Sequence, residues 1–396
     1  MSGRSWVNPL ILSHAQVCFR TGPSGPEPNW GREKNRENGP GCSGMNNQIR
    51  RKLQGGIAIP AHPLALTSNR KLDERRQRAL SRYYIASRVG GLAVGVHTTQ
   101  FAIRDPKFGL LEPVLSLAAE EMDRADAVSS SPLVRVAGVC GDTAQAVAEA
   151  TTVRDLGYHA GLLNLSALKG TDDSALIRHC RSVADVIPVF GFYLNPDVGG
   201  RELSHRFWRD FCTIENVVAI KMAPFNRYRT FDVIRAVIES GREDIALYTG
   251  NDDNIILDLA SPFSFHQDGT SITRRIAGGL LGHWAVWTSR AIQHLKQCQA
   301  VRSNAESMPM EIVRLNTAVT DCNAVFFDAA NGFRGCIPGL HEVLRRQGLL
   351  EGIWCLDEQE TLSRGQFEEI DRIYAAYPEL NDDEFVHEHL DEWLNQ

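Results

Sequence analysis

From Gly55 onward, short β-branched runs alternate with amphipathic helical stretches, and eight rounds of that alternation leave few architectures open. The runs are GIAIPAH (56–62), GLAVGVHT (91–98), LVRVAGVC (133–140), HAGLLNLSA (159–167), PVFGFYL (188–194), VVAIKMA (217–223), IALYTGN (245–251) and GLLGHWAVW (279–287). Their starts lie 26–42 residues apart, the length of a strand plus a returning helix. Segments between them, such as DTAQAVAEATTVRDLG and DSALIRHCRSVADV, carry apolar residues at three- and four-residue spacing and begin at Asp caps. An open, doubly wound sheet would want GxGxxG after the first strand, and here that strand runs into AHPLAL. Eight units favour closure. The expected fold is therefore α/β, a (β/α)8 TIM barrel over residues 55–300. After residue 288 the pattern is helical to the end, which predicts four or five further helices. Residues 301–396 are expected to pack on the barrel wall or to form a subunit interface.

Residues 1–54 differ from the rest. They hold eight Lys/Arg against three Asp/Glu and are rich in Gly, Pro, Asn and Ser, as in PSGPEPNWGREKNRENGPGCSG. This segment lacks the apolar periodicity for a core and is expected to be a disordered N-terminal extension. It has no secretory n-region, h-region and cleavage site in order, although its basic, acid-poor character allows a mitochondrial address. The whole chain has a net charge of −6, so everything after residue 54 carries −11. An acidic body without a basic, aromatic-laced stripe argues against nucleic acid as a partner. No apolar run is long enough to span a membrane. The nine cysteines are scattered without a CxxC pair, which argues against a disulfide scaffold or a zinc site and suits a reducing, cytoplasmic compartment.

Reacting groups in such a barrel stand at the C-terminal ends of strands. The chain has seven lysines against 35 arginines, and one of them, Lys221, closes the apolar run Val217-Val218-Ala219-Ile220. Desolvation there would lower its pKa and yield an amine able to attack a carbonyl; the alternative is a lysine reaching solvent or pairing with a carboxylate. Tyr193 ends the fifth run, next to the sixth, and its phenol could shuttle protons at that carbonyl or simply pack. His97-Thr98-Thr99 follows the second run, where backbone N–H groups and two hydroxyls could cradle a carboxylate or satisfy their own backbone. Asn251-Asp252-Asp253, after the seventh run, could cap the next helix or touch a substrate.

Taken together, these motifs resemble the dihydrodipicolinate synthase/N-acetylneuraminate lyase family of Schiff-base-forming aldolases, from about Gly56 to Leu350. Ile220-Lys221 looks like the Schiff-base lysine segment. Tyr193, 28 residues earlier with Pro196 three positions on, looks like the tyrosine of Tyr-Asn-x-Pro. Thr98-Thr99 looks like the Thr-Thr that binds the pyruvate carboxylate, Gly250-Asn251-Asp252 like Gly-Asp-Asp, and Gly282-His283-Trp284-Ala285 stands where the family has Gly-Val-Ile-Ser. The sequence departs from the pattern at His97, in place of glycine, and at Gln100-Phe101, in place of Gly-Glu. Leu194 replaces the asparagine after the tyrosine, and Val198 stands where synthases have the arginine for a dicarboxylic partner. The fourth strand lacks the synthases' tyrosine pair. These departures speak against lysine biosynthesis.

The resemblance implies a divergent lyase, aldolase or dehydratase, acting on pyruvate or a 2-oxo-3-deoxy acid through an imine on Lys221. It assigns Tyr193 to proton transfer and Thr98 and Thr99, with His97, Gly250 and Trp284, to binding. It implies no metal and no organic cofactor, since the imine does the polarising, and a homotetramer as the assembly. His97, Trp284 and Trp287 suggest an altered pocket, smaller or able to accept an aromatic group. Two rivals stand beside this reading. One is a metal-dependent barrel lyase using His97, Asp252 or Asp253, and His283. The other is a non-catalytic descendant that binds a 2-oxo acid.

Overall fold

A computed structural model describes residues 44–267, 269–304 and 307–395. The barrel strands are β1 (Ala58–Pro60), β2 (Gly91–Val94), β3 (Val134–Val139), β4 (Ala160–Leu163), β5 (Val189–Leu194), β6 (Val217–Ala223) and β7 (Ala246–Thr249). An antiparallel hairpin, β8 (Pro262–Gln267) and β9 (Thr270–Arg275), then precedes the last barrel strand, β10 (Gly278–Leu281). The eight parallel strands run in the order β1-β10-β7-β6-β5-β4-β3-β2. The N–H of His62 donates to Ala93 O at 2.8 Å and that of Gly90 to Ala58 O at 3.0 Å, which joins β1 to β2 and closes the sheet. The fold is the expected (β/α)8 barrel with a C-terminal helical extension. The hairpin is an addition that the sequence reading placed in helix and loop.

Alternation along the strands separates two cores. Ala61, Val96, Val136, Leu162, Phe190, Phe192, Leu194, Ala219 and Leu280 fill the lumen. Val94, Val139, Leu163, Tyr193, Ile220 and Met222 face the helical layer outside. The lumen is shut at its N-terminal end by the helix Asn47–Gly55, whose Ile49 and Leu53, one turn apart, join the interior cluster. Asn46 caps that helix, its Oδ1 accepting from the N–H of Gln48 at 2.7 Å. The Tyr248 hydroxyl donates to Leu53 O at 2.8 Å, and Lys52 Nζ donates to Pro132 O at 2.6 Å. Residues 44–54 therefore belong to the fold, against the expectation of a disordered segment reaching 54. Its remainder, 1–43, lies outside the described residues.

Five helices make up the C-terminal part: Thr288–Asn304, Met310–Phe326, Cys336–Arg346, Gln366–Ala376 and Asp383–Asn395. Buried polar groups fix them to the barrel. Asp382 accepts from the Tyr83 hydroxyl at 2.8 Å, the Ser289 N–H at 2.9 Å and Gln347 Nε2 at 2.8 Å. Nearby, the buried Glu121 carboxylate accepts from Arg82 Nε at 2.9 Å, Arg78 Nη1 at 2.9 Å and Arg124 Nη1 at 2.7 Å. Arg82 also donates to Trp393 O at 2.6 Å, so one cluster ties helices Glu74–Ala86, Leu111–Ala127 and Asp383–Asn395 together. No helix among the described residues is long and apolar enough to cross a membrane.

Burial alone would raise the Glu121 pKa, but the hydrogen bonds from Arg82 and Arg78 outweigh it and hold the group below its usual value of 4.5. A depressed carboxylate stabilises the fold fully above its unfolded-state pKa and loses that contribution as pH falls through the folded value. Glu121→Gln should cost about 3 kcal/mol at pH 7, because it leaves buried guanidinium charge uncompensated. Urea denaturation of both proteins should show the gap between them narrowing as pH falls below 4.5.

Candidate active site

One hollow, about 690 Å³, lies beside Lys52, Gly90 and Ser130 at the N-terminal end of the barrel. A smaller cavity of about 60 Å³ opens at the C-terminal ends of the strands and holds the chemistry-bearing side chains, which is where barrel sites are built. Its polar lining is His97, Thr98, Asn195, Lys221 and Asp252.

Lys221 enters the lumen from β6, 8% exposed, with Nζ 4.5 Å from the centre of the Phe192 ring. Gly250 makes room for it: a Cβ there would lie 2.5 Å from Lys221 Cε and 2.8 Å from Ala223 Cβ. Burial lowers the Lys221 pKa, and the Asp252 charge only partly opposes this. Burial likewise raises the Asp252 pKa, opposed by Lys221. Among the described residues, no carboxylate oxygen lies within 4.0 Å of Lys221 Nζ, so the two charges face each other across a gap. Asp252 Oδ1 accepts from the His283 N–H at 3.3 Å, while its carbonyl accepts from Asn323 Nδ2 at 2.6 Å. This holds the turn against the helix Met310–Phe326. His97 is pushed down to about 4, first by burial and then by the Lys221 charge, so its ring is neutral at pH 7.

The cavity roof comes from the C-terminal region. Phe327, Phe333 and Cys336 line it, and Phe225, from the turn after β6, meets Phe333 edge to face at 5.7 Å. Phe225, Asp328 and Phe333 hold left-handed backbone conformations, with φ of 49°, 54° and 65°. Such conformations cost roughly 1–3 kcal/mol each and persist where the surroundings over-determine them. Here Asp328 Oδ2 accepts from the Gly335 N–H at 2.9 Å, and Gln366 Nε2 donates to the Val325 and Gly335 carbonyls at 3.1 and 3.0 Å.

The structure brings Lys221, His97, Thr98 and Gly250 together, and it corrects three assignments. Tyr193 faces the outer helical layer, its hydroxyl 3.2 Å from both the carbonyl and the N–H of Leu203 and its ring against Trp208 at 5.5 Å. Regular alternation along β5 turns Tyr193 outward, and a register shift turns Lys221 of β6 the other way: Val189 pairs with Val217, a difference of 217 − 189 = 28, but Phe190 pairs with Ala219, a difference of 219 − 190 = 29. One extra residue in β6 therefore sets Phe192, not Tyr193, opposite Lys221. Thr99 is fully buried, donating to His62 O at 2.6 Å and accepting from the Val96 N–H at 3.2 Å, so its hydroxyl serves the turn. Trp284 packs in the outer core, where it would meet a Cβ added at Gly279, and does not line the cavity.

Phe192 was signalled by strand alternation, and Asp252 by its place after β7; Phe327, Phe333 and Cys336 carried no local signal. His283 stacks on Phe326 and stays outside the cavity lining. Among the described residues, no group of three His, Cys, Asp or Glu side chains is arranged to hold a metal ion.

No family model matches the chain, and neither does any curated protein. Solved structures do match in fold. A dihydrodipicolinate synthase from Oceanobacillus iheyensis superposes with a TM-score of 0.66 at 15% identity, over 84% of this chain and 99% of that one. An N-acetylneuraminate lyase from Fusobacterium nucleatum, complexed with pyruvate, gives 0.62 at 15% identity, over 83% and 99%. CdNal from Clostridium difficile, in complex with mannosamine, gives 0.64 at 15% identity, over 81% and 99%. At 15% identity the likeness is one of fold.

Tyr193→Phe tests the correction directly. It should cost about 1 kcal/mol in urea denaturation for the lost hydroxyl bonds.

Proposed function

We propose that the protein is a Schiff-base-forming lyase, an aldolase or dehydratase acting on pyruvate or a 2-oxo-3-deoxy acid. The observation that carries this reading is Lys221: a lysine desolvated in the lumen, at the C-terminal end of β6, with its amine free in the cavity. A lowered pKa supplies neutral amine near pH 7, which an ordinary lysine does not. The amine adds to C2 of the 2-oxo acid and water leaves. The protonated imine then accepts the electron pair released when the bond at C3 breaks. The backbone N–H groups of His97 and Thr98 have no acceptor among the described residues, which suits them to the carboxylate beside the Thr98 hydroxyl. The apolar lining from Phe192, Leu194, Val198 and the roof keeps water from the imine.

The Phe192 ring, where the resemblance implies a phenol, favours a second reading. A descendant that binds a 2-oxo acid without turning it over would keep the lysine and tolerate the phenylalanine. Imine trapping without turnover of any aldol or 3-deoxy acid would identify it.

Pyruvate with borohydride, followed by intact mass and peptide mapping, is the deciding experiment. A single reduced adduct on Lys221 is expected at pH 7, with none on Lys52, Lys71, Lys107, Lys169 or Lys296. Lys221→Met should lose the adduct and keep the thermal midpoint of the fold. An adduct on Lys169, or none on folded protein, would sink the assignment.

A further inference from the structure

We infer that Asp252 is the proton-transfer residue for chemistry at Lys221, in the role that no phenol in this cavity can fill. The inference rests on the Schiff-base reading and assigns to it a further catalytic residue. Of the polar side chains lining the cavity, Thr98 and the Asn195 amide exchange no proton near neutrality. That leaves His97, Asp252 and the Cys336 thiol besides the lysine, and burial pushes the thiol pKa well above its usual value of 9.0. Asp252 stands on the turn whose Gly250 abuts Lys221 Cε, and it lines the same cavity as the lysine, close enough for the two charges to act on each other. Among the described residues its carboxylate accepts one protein hydrogen bond, from the His283 N–H to Oδ1 at 3.3 Å. The gap of more than 4.0 Å to Nζ leaves room for a carbonyl between acid and amine. Lys221 across the cavity, Cys336 in the roof and Asp253 alongside are the charged or titratable groups that act on it.

Each step balances with one mobile proton. The ammonium of Lys221 gives a proton to the carboxylate, leaving an amine and a carboxylic acid. The nitrogen pair attacks C2, the carbonyl π pair moves to oxygen, and that oxygen takes the proton from Asp252. The carboxylate then removes a proton from nitrogen and passes it to the hydroxyl. The C–O bond breaks, water leaves, and the nitrogen pair forms the C=N bond of the iminium. Finally Asp252 takes a proton from C3; the C–H pair becomes C2=C3 and the iminium π pair returns to nitrogen as an enamine.

Deuterium exchange at C3 of pyruvate in D2O, followed by proton NMR, reads the last step without knowledge of the second substrate. Asp252→Asn should lower the exchange rate about 10²- to 10⁴-fold across the whole pH range. Borohydride should still label Lys221 slowly in the Asp252 variant. A purely electrostatic Asp252 predicts a different outcome. Losing its charge would lower the Lys221 pKa further and shift the profile to acid with its maximum intact. That result overturns the assignment to Asp252. Wild-type protein that forms no adduct overturns the Schiff-base reading itself, and this inference with it.

Discussion

In a closed parallel barrel every strand residue faces either the lumen or the helical layer, and one extra residue in a strand exchanges the two faces. Here that exchange falls between Val189 and Phe190 of β5, against Val217 and Ala219 of β6. Below it the strands keep the offset at which Tyr193 would stand opposite Lys221, and above it they do not. Val218 and Ala219 both join the lumen cluster, which is what a bulge at this point produces. The amine of Lys221 is thereby turned into the lumen, away from the Tyr193 hydroxyl in the outer core, and a phenyl face is set beside it. That face still attracts an ammonium electrostatically but can neither give nor take a proton.

The electrostatics of the site follow from this substitution. An ammonium in an apolar lumen is costly unless a charge compensates for it or its proton leaves. Asp252 compensates without reaching ion-pair distance, so neither group is locked in its ionised form. Closer contact would fix both charges and remove the nucleophile. Greater separation would leave two isolated charges, each driven to neutrality. The Asn323 bond to the Asp252 carbonyl and the Gly250 approach to Lys221 hold the spacing between those limits.

The barrel was legible in the sequence because eight runs of strand periodicity at regular intervals admit one closed solution; seven strands fall within the expected runs, and the last, Gly278–Leu281, starts one residue before its own. What escaped was short or non-local. The helix Asn47–Gly55 has only Ile49 and Leu53 as buried apolar residues, and in a basic, Gly-rich 54-residue segment that pair was averaged away. The β8–β9 hairpin carried its signal openly in the sequence, with Phe263 and Phe265 alternating before an Asp-Gly pair, but an expected helix masked it. Lys221, His97, Thr98 and Gly250 were readable as strand-end residues. Tyr193 was misplaced because chain spacing is blind to a bulge. Thr99 and Trp284 were misplaced because a motif names neighbouring residues without saying which way each one points.

The roof could not have been read from any strand. Phe327 and Phe333 lie more than a hundred residues after Lys221 in the chain, and the buried bonds of Asp382, Asp328 and Gln366 bring them over it. This makes the helical extension part of the site's dielectric as well as part of its wall. A buried lysine keeps a depressed pKa only while water is excluded, and here three phenylalanines, two with strained backbones, provide that exclusion. Strain of this kind is tolerated because Phe225 and Phe333 pack on each other and the Asp328 bonds fix the turn between them and the core. The chemistry of one strand-end amine therefore depends on helices that the barrel does not need in order to close.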